Sequence, residues 1–149
     1  DSDKPILMVA SGTGFAPIKA MMERIGARME AGGFDRPVTL YWGGRRPRDL
    51  YHDAMCREWE ATIPGFTYVP VVSDALPDDT WSGRTGFVHL AAMADLPDMS
   101  GLQVYACGTP AMVDASRRDF IAERGLPADE FYADAFTTAA DIAAEPGDA

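Results

Sequence analysis

The chain has 149 residues, 47% of them hydrophobic, and a net charge of −10 from 13 basic and 23 acidic side chains. One domain with an ordinary core is the simplest organisation at that length. The acidic balance argues against nucleic acid or an anionic membrane as a partner, although it serves solubility equally well.

Residues 5–10 form an apolar run that reads as a buried strand. It ends in Ser11-Gly12-Thr13-Gly14, and Ile18, Met21, Met22, Ile25 and Met29 follow at helical spacing until Gly32-Gly33. A strand that passes through glycines into a helix builds an anion site. The backbone can approach a phosphate closely, and the helix start offers unpaired N–H groups and a positive dipole end. Thr13 could add its hydroxyl to a phosphate oxygen. Pro17 occupies the place of the third glycine in the ordinary dinucleotide fingerprint and pre-sets the first helical turn instead. Lys19 lacks the Gly-Lys-Ser/Thr context of a P-loop. A tight turn that binds nothing is the alternative.

A second strand covers 38–42 and closes on Gly43-Gly44. Arg45, Arg46 and Arg48 follow, either facing the phosphates or ribose of a dinucleotide or forming a solvated basic loop. A helix over about 50–61 leads through Pro64-Gly65 to a third strand, 66–72, rich in β-branched and aromatic residues. Ser73-Asp74 comes next. A carboxylate beside an adenosine ribose accepts its hydroxyls and repels a 2′-phosphate, which favours NADH over NADPH if the adenosine lies there.

Residues 74–86 read as a polar loop and 88–93 as a short helix. A fourth strand, 102–106, ends in Cys107-Gly108-Thr109-Pro110. Pro110 opens a helix over 111–123, which Gly125 terminates. Cys107 is either a buried thiol in a turn or a small polarizable group against a flat ring. No histidine lies near it in sequence to activate it as a nucleophile. Residues 131–133 make a short fifth strand, with Phe131 and Tyr132 as core residues. Phe136 follows on the ligand side and could cover a ring. The stretch from Thr137 onward is small, acidic and expected to fray.

Cys56 and Cys107 provide neither a disulfide framework nor a metal-spaced pair, and His52 and His89 are far apart, so surface or capping roles are expected and no metal site. No apolar run approaches the ~18 residues of a membrane span, and Asp1–Lys4 do not resemble a secretory leader, so a cytoplasmic location is expected. Alternating strands and helices predict an α/β fold, a doubly wound parallel sheet with helices on both faces. Ligands would bind beyond the strand ends, in the loops beginning at Ser11, Gly43, Ser73, Cys107 and Ala135.

Five segments occur together in order: Gly12–Pro17, Tyr41–Gly44 with Asp49–Tyr51, Trp81–Phe87, Cys107–Met112 and Phe131–Phe136. Over about residues 5–138 this pattern resembles the pyridine-nucleotide domain of the ferredoxin–NADP reductase superfamily. It is most similar to bacterial NADH-dependent flavin and oxygenase reductases of the CDP-6-deoxy-Δ3,4-glucoseen reductase-like group. The resemblance implies a five-stranded sheet in the order 3-2-1-4-5. In such proteins NAD(P)H delivers hydride to N5 of FAD, and the flavin passes electrons to a 2Fe-2S centre or another acceptor.

Carried over by motif, Gly12, Thr13 and Gly14 would cradle the pyrophosphate, with Phe15 and Pro17 completing that segment. Cys107 and Gly108 would sit at the nicotinamide, in a pocket shaped by Thr109, Pro110 and Met112. Phe136 matches the C-terminal aromatic at the flavin ring. Arg45, Ser73 and Asp74 complete the candidate cofactor site. NADP-preferring members carry Ser-Arg where this chain has Ser73-Asp74. Neither the Arg-x-Tyr-Ser type motif of the FAD-binding barrel nor the clustered cysteines of a 2Fe-2S module occurs in these residues.

The expected organisation is therefore a nucleotide domain over 1–138 with a flexible acidic tail over 139–149. An FAD-binding domain would be supplied in cis or in trans, with a 2Fe-2S protein or an oxygenase as acceptor. The chain alone is expected to bind NADH weakly and to show little reductase activity. Three other readings stay open: a nucleotide-binding regulatory module without redox activity, a hydrolase using Cys107, and an interaction domain using the acidic tail.

Overall fold

The structure, a computed structural model, describes residues 4–12, 15–30, 32 and 36–135. The chain order is β1 (Ile6–Ser11), α1 (Phe15–Glu30), β2 (Val38–Gly44), α2 (Asp53–Thr62), β3 (Phe66–Val72), β4 (Arg84–Thr85), α3 (Val88–Asp95), β5 (Gln103–Gly108), α4 (Pro110–Arg124) and β6 (Phe131–Ala135). All strand pairings are parallel, and the sheet runs β4-β3-β2-β1-β5-β6. β1 is central, buried from Ile6 through Ala10.

Alternation along β1 sorts the core into two layers. Met8 and Ala10 face Ile18 and Met22 of α1, together with Leu40, Trp42 and Cys56. Leu7 and Val9 face Ala91 and Ala92 of α3 and Val113 and Phe120 of α4. Each fully buried Leu or Met removes enough apolar surface from water to contribute roughly 1.5–3 kcal/mol before chain entropy is counted.

The five expected strands form in the expected mutual order, and a sixth, β4, adds to the edge beside β3. It lies inside the stretch read as a polar loop. Two residues carry no periodic signal, and β4 is placed by tertiary contacts instead. Arg84 and Thr85 pair with Val71 and Val72, Gly86 N–H donates to the Val72 carbonyl at 3.1 Å, and the Trp81 indole donates to the Arg84 carbonyl at 2.8 Å.

Helix α2 starts at Asp53 rather than near Leu50, because Pro47–Asp49 form a 3-10 turn that delays it. The Asp49 carboxylate secures this turn, accepting from the N–H groups of Arg45 (3.1 Å) and Arg46 (2.9 Å). α4 has the expected punctuation. The Thr109 hydroxyl accepts from Met112 N–H at its start, Pro110 occupies the first turn, and Gly125 closes it in the left-handed conformation. None of the helices among the described residues is long and apolar enough to cross a membrane.

Candidate functional site

The carboxyl ends of β1, β2, β3 and β5 open into one cleft of about 730 Å³, within the roughly 300–1,000 Å³ range of small-molecule sites. Its floor is made by the strand ends: Ser11 and Gly12 from β1, Gly43 and Gly44 from β2, Ser73 after β3. Thr109, Ala111 and Met112 close one side, and the segment Gly86–His89 closes the other.

Gly12 turns with φ +54, and a side chain there would meet nothing within 4 Å, so its backbone faces open space. A phosphate oxygen can approach it as closely as the peptide allows. The turn is held from beneath. Trp42, fully buried, donates its indole N–H to the Gly12 carbonyl at 3.3 Å and stacks on Phe15 with ring centroids 4.2 Å apart. The Phe15 ring is thus core, leaving its backbone for any ligand. Pro17 lies in the first turn of α1. Thr13, Gly14 and Phe136 lie outside the described residues.

At the end of β5 the backbone comes closest to β1. A Cβ on Gly108 would collide with Ser11 Oγ and stand 2.9 Å from Met112 Cε. Thr109 N–H donates to Ser11 Oγ at 3.4 Å, tying the two strand ends together. Cys107, one residue earlier, is 4% exposed and packs in the same layer as Phe15 and Trp42. Burial of this kind does not suit a nucleophile that must meet a substrate in the cleft.

The arginines after β2 divide by role. Arg46 is committed to Asp79 through two bonds of 2.7 Å, and that guanidinium holds the Asp79 carboxyl well below its usual range, at about 2. Arg45 and Arg48 line the cleft. Asp74 lies beside Arg45, its Oδ2 3.4 Å from Arg45 Nη2. Ser73 and Asp74 are fixed by their backbones, which donate to the carbonyls of Gly44 (2.9 Å) and Arg45 (2.8 Å).

Asp49, Tyr51, Phe87 and His89 also line the cleft; the first three lie in the motif segments 49–51 and 81–87, whose spacing alone assigns them no role. Tyr51 and Phe87 are exposed apolar rings at the cleft, 53% and 64% accessible, and a flat ligand ring could lie against either. A large aromatic directly after Gly86 in a polar stretch was the available signal. His89, expected on a surface, borders the cleft and faces Asp119 on α4 at 3.4 Å. The Gly86–His89 wall is anchored by Asp95, which accepts from Tyr41 Oη at 2.7 Å and from Arg84 Nη1 at 2.5 Å. Burial and this bond push the Tyr41 hydroxyl far up, while Arg84 draws the Asp95 carboxyl down. Among the described residues, no group of three or more His, Cys, Asp or Glu side chains is placed to hold a metal ion.

The family model described as "Oxidoreductase NAD-binding domain" matches residues 8–118. The CDP-6-deoxy-L-threo-D-glycero-4-hexulose-3-dehydrase reductase of Yersinia pestis is 44% identical over 136 residues, covering 91% of this chain and 39% of the relative. Terephthalate 1,2-dioxygenase reductase component 2 of a Comamonas species is 35% identical over 140 residues, covering 93% of this chain and 39% of that protein. The crystal structure of the Amycolatopsis cytochrome P450 reductase GcoB superposes with a TM-score of 0.78 at 34% identity, over 93% of this chain and 39% of that one. The chain thus spans about two fifths of the length of these relatives.

Proposed function

The chain belongs to the oxidoreductase NAD-binding domain family, and from that premise we propose that it holds NADH for hydride transfer to an FAD bound by another domain or chain. Electrons would then pass to a 2Fe-2S centre or to another acceptor, such as an oxygenase. The observation that carries this reading is the continuity of the cleft at the strand ends. It joins an open glycine turn at the start of α1 to Arg45 and Ser73 on one side and to Thr109 and Met112 on the other. A dinucleotide needs that layout: an anion site in the middle and a ring site at each end.

In this reading the pyrophosphate lies on the backbone of Gly12, Thr13 and Gly14, with Phe15 N–H and the first turn of α1 set by Pro17. The nicotinamide lies over the β5 end, where Gly108 keeps the floor low, Thr109 and Pro110 set the wall, and Met112 fills the side. Cys107 supports that floor from below, and Phe136, outside the described residues, would be the aromatic at the flavin ring. The adenosine ribose meets Ser73 and Asp74, with Arg45 beside them. Held there, NADH would supply a hydride to an FAD carried by another domain or chain. The chain's own contribution is to fix one flat ring in position and exclude water from its buried side.

Calorimetric titration of the 149-residue chain with NADH, NADPH, ADP and ATP tests this reading. NADH should bind more tightly than ADP or ATP. ATP binding more tightly than NADH would point instead to a regulatory nucleotide module. A parallel assay of NADH oxidation with added FAD and ferricyanide should show little turnover. Sustained flavin-dependent turnover by this chain alone would contradict the assignment of the flavin to another domain.

A further inference from the structure

We propose that Arg45 is a specificity-determining residue that offsets Asp74, so that the cleft accepts a 2′-phosphorylated nucleotide as well as an unphosphorylated one. The inference deepens the reading above and rests on its placement of the adenosine ribose at the ends of β2 and β3.

Asp74 by itself sets a single negative charge against a 2′-phosphate. It does not stand by itself. Arg45 Nη2 lies 3.4 Å from its Oδ2, and the backbone bond from Asp74 N–H to the Arg45 carbonyl keeps the two residues together whatever their side chains do. Both side chains are mostly in solvent, 80% exposed for Arg45 and 60% for Asp74. An exposed, long ion pair of this kind is loose and opens at little cost.

Arg46 shows the contrast. Its guanidinium grips both oxygens of Asp79 at 2.7 Å, and the two side chains are only 24% and 16% exposed. That pair is committed to holding the loop, whereas Arg45 is free to exchange partners at the cleft. A phosphate monoester carries nearly two negative charges near neutral pH and takes a guanidinium in two parallel bonds. It therefore outcompetes one solvated carboxylate for Arg45. When the ribose carries no phosphate, Arg45 stays on Asp74 Oδ2 and leaves Oδ1 to accept a ribose hydroxyl.

The test is calorimetric titration of the 149-residue chain with NADH and with NADPH, in wild type, Arg45→Gln, Asp74→Asn and the double variant. Wild type should bind NADPH within about tenfold of NADH, since an exposed charge contact is worth at most about 1 kcal/mol, or about fivefold. Arg45→Gln should weaken NADPH about fivefold and NADH less than about twofold. Asp74→Asn should change NADPH less than about twofold while Arg45 is present, and strengthen it about fivefold in the Arg45→Gln background, where nothing offsets the carboxylate. If Asp74→Asn strengthens NADPH equally with and without Arg45, the ribose placement stands and the role of Arg45 is overturned. If neither substitution changes the NADPH-to-NADH ratio, the ribose placement fails and takes this inference with it.

Discussion

Gly108 is the position where two strand ends pass so closely that a single methyl group has nowhere to go. Ser11 Oγ and Met112 Cε already occupy its space, and φ at this residue is +155. Gly108→Ala should therefore lose about 1–3 kcal/mol of stability through overpacking. NADH affinity should fall with it, because the Ser11–Thr109 bond that joins β1 to β5 must give way. Urea denaturation and calorimetry read the two effects separately. Wild-type values for both would show that the strand ends separate freely. Gly12 has the opposite character. Nothing lies within 4 Å of where its side chain would be, so its lack of bulk matters to whatever enters the cleft, not to packing.

Helix α3 and the edge strand β4 form a unit whose joint is Asp95. Its carboxylate takes the Tyr41 hydroxyl from the centre of the sheet and the Arg84 guanidinium from its edge. Asp95→Ala should cost about 1–3 kcal/mol, because the Tyr41 hydroxyl keeps its burial and loses its acceptor. It should also weaken NADH binding by releasing the Gly86–His89 wall. A loss below about 0.5 kcal/mol in urea denaturation would mean that the joint carries little. These two elements also mark how far the sequence could be read. The central strands were legible because continuous apolar runs such as Leu7–Ala10 have to be buried on both faces. α4 was legible because Thr109, Pro110 and Gly125 are local stop and start signals. β4 was not legible, since its position depends on Asp95, eleven residues beyond Arg84, and on Val71 and Val72 across the sheet. The site divides the same way. Gly12, Gly108 and Thr109 could be found from glycine turns at strand ends. Tyr51 and Phe87 lie in motif segments the sequence shows, but that they share one cleft with His89 was not legible, because separate loops bring them together.

At the scale of the whole molecule, the ionisable groups define a window of stability with two different edges. On the acid side, Arg46 holds Asp79 at about 2, and Asp95, Asp98, Asp119 and Glu130 are also lowered by their partners. The unfolded chain binds protons first, so this stability is present above the ordinary carboxylate range near about 4 and is lost as pH falls towards about 2. On the alkaline side, burial and then Asp53 push the Cys56 thiol up to about 12. Burial, followed by bonds to carboxylates, raises Tyr41 and Tyr68. The unfolded chain then releases protons first, so stability declines as pH rises above about 9. Urea midpoints measured across pH should be level from about 5 to 8 and fall on both sides. A midpoint that stays level from pH 5 down to pH 3 would contradict the acid arm.

The indole of Trp42 is bonded to the carbonyl of Gly12, stacked on Phe15 and edge-to-face with Tyr51. Its emission is therefore sensitive to the electric field and motion of the very turn proposed to receive the pyrophosphate. The chain carries its own optical gauge of that loop: Trp59, stacked on Phe15 with centroids 6.0 Å apart, shares in the signal, while Trp81, bonded to the Arg84 carbonyl beside β4, supplies the internal reference against which occupancy can be followed without a label.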